Sequence, residues 1–160
     1  MLKKTLCLLL LVALFTLPAF AETSESTVRV QFEDGFSLSL PTDWVSFEVS
    51  PEDAEAGVIY CLGNADASRL LYVQRWSAPF SDLDALRAEL EGDSNVVLRS
   101  DADSDSPFLM YNLASSDASG CIALFADGVL NLLFTPQSDA DYMLTAATIM
   151  ESAILDVQEN

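Results

Sequence analysis

The sequence predicts one α+β domain, an antiparallel β-sheet covered by two main helices, and three observations carry that reading. Short runs in which apolar and polar residues alternate recur from residue 28 to residue 135, as strands with one buried face require. Two joins between such runs are Asp-Gly, at Asp34-Gly35 and Asp127-Gly128, the strongest short hairpin signal a sequence offers. Two further segments switch to helical spacing, and the apolar stripe on each needs a sheet face to cover it.

The order begins with residues 1–21, MLKKTLCLLLLVALFTLPAFA. Two lysines, an apolar run from Leu6 to Leu17 and the triplet Ala19, Phe20, Ala21 make this a secretory signal peptide, with cleavage expected between Ala21 and Glu22. The run is shorter than the roughly 20 residues of a membrane span. Residues 22–27, ETSEST, read as a flexible leader, and residues 28–160 as the folded domain. The localisation expected is therefore secreted or extracytoplasmic.

Strands follow at 28–33 (VRVQFE), 36–40 (FSLSL), 45–49 (VSFEV), 58–62 (VIYCL) and 69–76 (RLLYVQRW). The segment SDLDALRAELEG reads as a helix, with Ser81 as cap, Asp84 three residues on, Leu83, Leu86 and Leu90 on one face, and Gly92 just past its end. Strands resume at 96–99 (VVLR), 108–114 (FLMYNLA), 121–126 (CIALFA) and 129–135 (VLNLLFT). The last helix is expected from about Asp139 to Val157, capped by Ser138, with Tyr142, Ala146, Ile149, Ala153 and Leu155 on its apolar face and Met143 and Met150 beside them. Short loops of Asp, Ser, Gly and Asn join several strands, so neighbours should pair antiparallel.

This order of elements, with Leu40-Pro41 and Trp44 closing FSLSLPTDW, a short helix after Pro79, Gly120, Asp127-Gly128, and FTPQSDADY leading into the last helix, resembles the PsbP-like α/β sandwich family. That family includes a photosystem accessory protein, a eukaryotic Ran-binding protein and many secreted bacterial proteins of unknown role. The resemblance spans about Val28 to Val157 and implies the fold; it carries over no functional residue.

Composition narrows function by exclusion. The chain has 7 Lys+Arg against 25 Asp+Glu and no histidine. Both lysines leave with the signal, so five arginines then face 25 acids, formally −20. Such a field disfavours nucleic acid and anionic membrane surfaces as partners. Without histidine, Ser-His chemistry and nearly all zinc sites are gone; without lysine, so is Schiff-base chemistry. A pair of carboxylates suffices for a hydrolase, but with 25 acids close pairs arise by chance.

Four features remain. The stretch DADSDS places Asp101, Asp103 and Asp105 at positions 1, 3 and 5 of a twelve-residue calcium loop. Ser106 then stands where the turn glycine belongs, Pro107 follows, and Asn112 occupies the place of the bidentate glutamate, so a solvated acidic turn accounts for the stretch more simply. Cys61 and Cys121 either form a disulfide, worth roughly 4 kcal/mol by the chain-entropy model, or are two buried thiols on neighbouring strands. Arg69 and Arg75 share a strand face and are expected to pair with surplus carboxylates rather than clamp an anion. Trp44 and Trp76 are expected to pack rather than to stack on sugars. The leading expectation is a secreted, non-catalytic accessory or protein-binding domain with an extracytoplasmic protein partner and no cofactor. A calcium-responsive domain using Asp101, Asp103 and Asp105 is the second reading, and a carboxylate-dependent hydrolase the third.

Overall fold

The computed structural model describes residues 26–77, 80–100, 106–125 and 128–155. Strands β1 (Thr27–Phe32) and β2 (Phe36–Pro41) form the first hairpin, with Phe32 opposite Phe36. Gly35 sits at φ 87°, the left-handed conformation that glycine adopts without a Cβ penalty, and its amide donates to the Phe32 carbonyl at 3.1 Å. After β3 (Val45–Phe47) comes a short helix the strand pattern had obscured, α1 (Pro51–Glu55). Its signals are plain in retrospect: Ser50 accepts from the Asp53 amide, Pro51 opens the helix, and Glu52 and Asp53 lie in the first turn.

Strands β4 (Val58–Gly63) and β5 (Leu70–Ser77) lead to α2 (Leu83–Gly92), then β6 (Val96–Leu98), β7 (Phe108–Leu113), β8 (Ser119–Phe125), β9 (Gly128–Thr135), α3 (Ala140–Glu151) and β10 (Ile154–Leu155). Instead of one sheet there are two, both antiparallel: seven strands in the order β3-β4-β5-β9-β8-β7-β6, and three in the order β1-β2-β10. At the second Asp-Gly signal Phe125 pairs with Gly128, as a hairpin requires.

Helix limits differ from expectation where another side chain takes the capping group or holds the expected cap. Asp82, not Ser81, caps α2 by accepting from the Ala85 amide, and the Ser81 hydroxyl donates to Asp82 instead; Gly92 lies inside the last turn. Asp139, not Ser138, caps α3, because Asp117 takes both the amide and the hydroxyl of Ser138. The last helix stops at Glu151, six residues early. The Ser152 hydroxyl donates back to the Ile149 carbonyl and accepts from the Ser39 amide, and Ile154 and Leu155 then join the edge of β2.

Register assigns the large sheet two faces. The inner face carries Leu62, Leu71, Val73, Leu130, Leu132, Phe134, Cys121 and Phe125, packed against Phe32, Phe36, Leu38 and Leu40 of the small sheet and Tyr142, Ala146 and Ile149 of α3. The outer face carries Leu109, Tyr111, Ile122 and Val129 under Leu86 of α2. Strand alternation thus divides the core into two clusters on either side of one sheet.

Candidate functional site

The two arginines are anchored at opposite ends of β5. Arg69 donates from Nε to Asp139 at 2.8 Å and lies 5.8 Å from the Tyr142 ring centroid. Arg75 reaches Asp34 at 3.3 Å and lies 5.5 Å from the Phe125 ring. Asp34 also accepts from the Tyr60 hydroxyl at 2.9 Å. The Tyr142 amide and then Arg69 hold the Asp139 carboxyl below the usual range. Each arginine tethers the large sheet to an element that covers its inner face, and the expectation of carboxylate pairing holds for both.

The tryptophans pack. Trp44 lies against the inner core, tilted over Tyr142 at 6.1 Å. Trp76 joins the outer cluster and donates to the Ala56 carbonyl at 3.3 Å.

The pairing held open between Cys61 and Cys121 is not made: both are free, buried thiols. Nor are they on neighbouring strands, since β5 and β9 lie between β4 and β8. Three strand spacings are about 14 Å, beyond the roughly 7 Å that a disulfide spans. The thiols also face opposite sides, because Cys61 aligns through Tyr72 and Leu133 with Gly120, the residue before Cys121. Burial raises the Cys61 thiol and pushes Cys121 up to about 12, so neither is a ready thiolate.

Asp101, Asp103 and Asp105 lie outside the described residues, as does the signal segment. The stretch joins β6 to β7, which pair antiparallel, with Leu98 opposite Tyr111. A strand therefore stands on either side of it, where a calcium loop of the helix-loop-helix type has helices. Among the described residues no three His, Cys, Asp or Glu side chains cluster as a metal site.

Sequence reasoning missed a buried polar chain on the outer face. The Tyr111 hydroxyl donates to Asn131 at 2.9 Å, Asn131 donates to Gln74 at 2.8 Å, and Gln74 donates to the Ala56 carbonyl at 3.4 Å. Asn131 is 1% exposed. Burial pushes the Tyr111 hydroxyl up to about 12. The signal was the single amide in the apolar run VLNLLFT. Gly120 makes room for this chain: a Cβ there would sit 2.6 Å from Cζ and Oη of Tyr111.

Three of the cavities bordered by described residues open beside these features. One of about 300 Å³ lies under α2, walled by Trp76, Phe80, Leu86, Leu90 and Tyr111. One of about 330 Å³ lies between α3 and β7, walled by Phe108, Met110, Cys121, Ala147, Met150 and Ala153. The third, of about 380 Å³, is polar and includes Arg99, Asn112, Asp117, Ser119 and Ser138.

The seven-stranded sheet, the small sheet over its inner face and the helices on both sides define a PsbP-like α/β sandwich. One solved structure it resembles is the solution structure of cyanobacterial PsbP (CyanoP) from Synechocystis sp. PCC 6803, with a TM-score of 0.54 and 16% identity over 84% of this chain and 95% of that one. At this identity the likeness is one of fold. No family model and no curated protein matches the chain.

Proposed function

We propose that this protein is an extracytoplasmic accessory domain, without catalysis of its own, that acts by contact with another extracytoplasmic protein. The observation that carries the reading is how its reactive groups are employed. Arg69 and Arg75 are held in ion pairs and lie over aromatic rings, both thiols are buried, and among the described residues every buried side-chain nitrogen or oxygen has a partner. Enzyme sites instead tend to leave polar groups aimed at where substrate will sit. The PsbP-like fold is in keeping with an accessory role, and no described helix is long and apolar enough to cross a membrane.

The partner's expected chemistry follows from charge. A chain at −18 associates most readily with a basic surface, and steering of that kind weakens with salt. Among the described residues, the large apolar side chains left exposed are Val28, Val45, Val97, Leu144 and Ile154, one each on β1, β3, β6, α3 and β10. A photo-crosslinking residue at each of these five positions, in the full chain in its own host, tests the reading. One partner captured reproducibly from one or two positions, with a yield that falls as salt rises, is the expected result. No crosslink at any of the five would overturn it. Turnover of a glycan or peptide substrate that disappears with one carboxylate substitution would replace it with the hydrolase reading.

A further inference from the structure

Sulfur is concentrated in one part of this molecule. Of the four methionines, Met1 begins the chain and the other three, Met110, Met143 and Met150, lie on β7 and α3. Met110 and Cys121 are directly opposed across β7 and β8. They share the inner face, with Cβ atoms about 5 Å apart for such a pair. Met150, in the last turn of α3, completes the group, and all three side chains border the same cavity of about 330 Å³.

Two features distinguish this group from ordinary core packing. Methionine in a core normally fills irregular gaps, whereas here two of them border a space left empty between Ala147 and Ala153, whose side chains are too short to close it. The sulfurs are also graded in depth: Cys121 is 0% exposed, while Met110 and Met150 are half-buried above it. A small ion entering from the surface would meet thioethers before the thiol. Among the described residues, Glu151 is the only carboxylate in the cavity wall.

We propose that Met110, Cys121 and Met150 form a site for a soft monovalent cation of the Cu(I) class. Thiolate and thioether ligands select such ions over hard cations. In a chain with no histidine, sulfur is the remaining donor type suited to them. On binding, the S–H bond of Cys121 breaks and its proton passes to solvent as the metal–sulfur bond forms. The two thioethers donate lone pairs, no electron is transferred, and one positive charge replaces another. Burial holds the Cys121 thiol up at about 12, opposed only in part by the Leu132 backbone, so the metal itself has to displace the proton.

The test uses the full chain labelled with ¹³C at the methionine methyls, carrying Cys7→Ser and Cys61→Ser so that Cys121 is the remaining thiol. Silver nitrate in chloride-free buffer serves as the redox-stable probe. The Met110 and Met150 methyl resonances should shift and saturate at one equivalent while Met143 stays in place, and Cu(I) added anaerobically as its acetonitrile complex should do the same. Met110→Leu/Met150→Leu nearly conserves volume and should fold, yet lose at least ten-fold in affinity; Cys121→Ser should lose at least as much. Absence of a shift at Met110 and Met150 overturns the proposal. So does equal movement of Met143, or one-equivalent binding that survives Met110→Leu/Met150→Leu.

Discussion

The inner and outer faces of the seven-stranded sheet are made by the same strands and are stabilised differently. The inner face lies under a second sheet and α3, packs aromatic rings in series from Phe32 to Phe36 to Phe125, and is tied at its rims by Arg69 and Arg75. The outer face lies under α2 and carries a hydrogen-bonded chain that runs from the buried Tyr111 and Asn131 to the half-buried Gln74. One side gains from apolar area and the other from satisfied polarity. Substitution costs should separate accordingly, by cavity formation inside and by orphaned polar groups outside.

The largest effect is expected inside. Phe36 is 0% exposed, stacks on Phe32 at 4.5 Å and meets Phe125 edge-on at 6.1 Å. Phe36→Ala should cost about 3–5 kcal/mol, measured by urea unfolding at neutral pH. A cost near that of an exposed substitution would mean that the small sheet is not a structural cover.

Alkaline titration probes both faces at once, because each buries a weak acid: Cys121 inside and Tyr111 outside, each pushed up to about 12 from ordinary values of 9.0 and 10.0. The sign follows from linkage. These groups stay neutral in the folded chain and ionise earlier when it unfolds, so their contribution is complete below the unfolded values and is lost as pH rises toward 12. Stability should fall from about pH 9, by up to about 1.4 kcal/mol per pH unit for each group in its window. Cys121→Ala should reduce the part that begins near pH 9, which the raised Cys61 thiol shares, and Tyr111→Phe the part that begins near pH 10, which the buried Tyr142 hydroxyl shares. Identical profiles for both variants and the parent would refute the burial of these groups.

Tyr111→Phe at neutral pH is the outer-face counterpart. It strips Asn131 of its hydroxyl donor at a position closed to water and should cost about 1–3 kcal/mol. Gly120→Ala should add a further cost, since its Cβ would still meet the ring carbons Cζ and Cε1 that remain when the hydroxyl is removed, and a double-mutant cycle should show only the part of the coupling that runs through the hydroxyl. Tyr142→Phe on the inner face loses a 2.6 Å bond from the hydroxyl to the Leu70 carbonyl and should cost only about 1 kcal/mol, because that bond is only partly buried. Equal costs for Tyr111→Phe and Tyr142→Phe would erase the proposed distinction between the faces.

How much of this was readable from the chain depends on whether a feature is local. The nine main strand segments followed from alternation, and the first hairpin from Asp34-Gly35, because period and turn chemistry are short-range properties. The same pattern could not say that β1 and β2 leave the main sheet, since β2 alternates equally well in either setting. Both caps moved by one position, at α3 because the distant Asp117 holds Ser138 and at α2 because the adjacent Asp82 takes the Ala85 amide. The last helix was overextended because its apolar stripe continues through Ala153 and Leu155, which still face the core but from outside the helix. At the site, the pairing of Arg69 and Arg75 was legible from an excess of acids, whereas the separation of Cys61 from Cys121 is a matter of strand order, which no local signal encodes.

The smallest effect is expected at the edge where both faces end, in the segment joining β6 to β7 that holds Asp101, Asp103 and Asp105. A millimolar calcium site held in ten-fold excess ion would add about 1.4 kcal/mol, a rise in Tm of roughly 5 °C for a domain of this size. The missing turn glycine, the proline at 107 and the asparagine at 112 all oppose such a site, as do the strands on either side. Calcium and magnesium should therefore shift Tm equally and by less than about 2 °C, since each would act only by screening a chain of charge −18. A calcium-specific rise that Asp103→Ala removes would instead make this edge a ligand site, and a source of stability independent of either face.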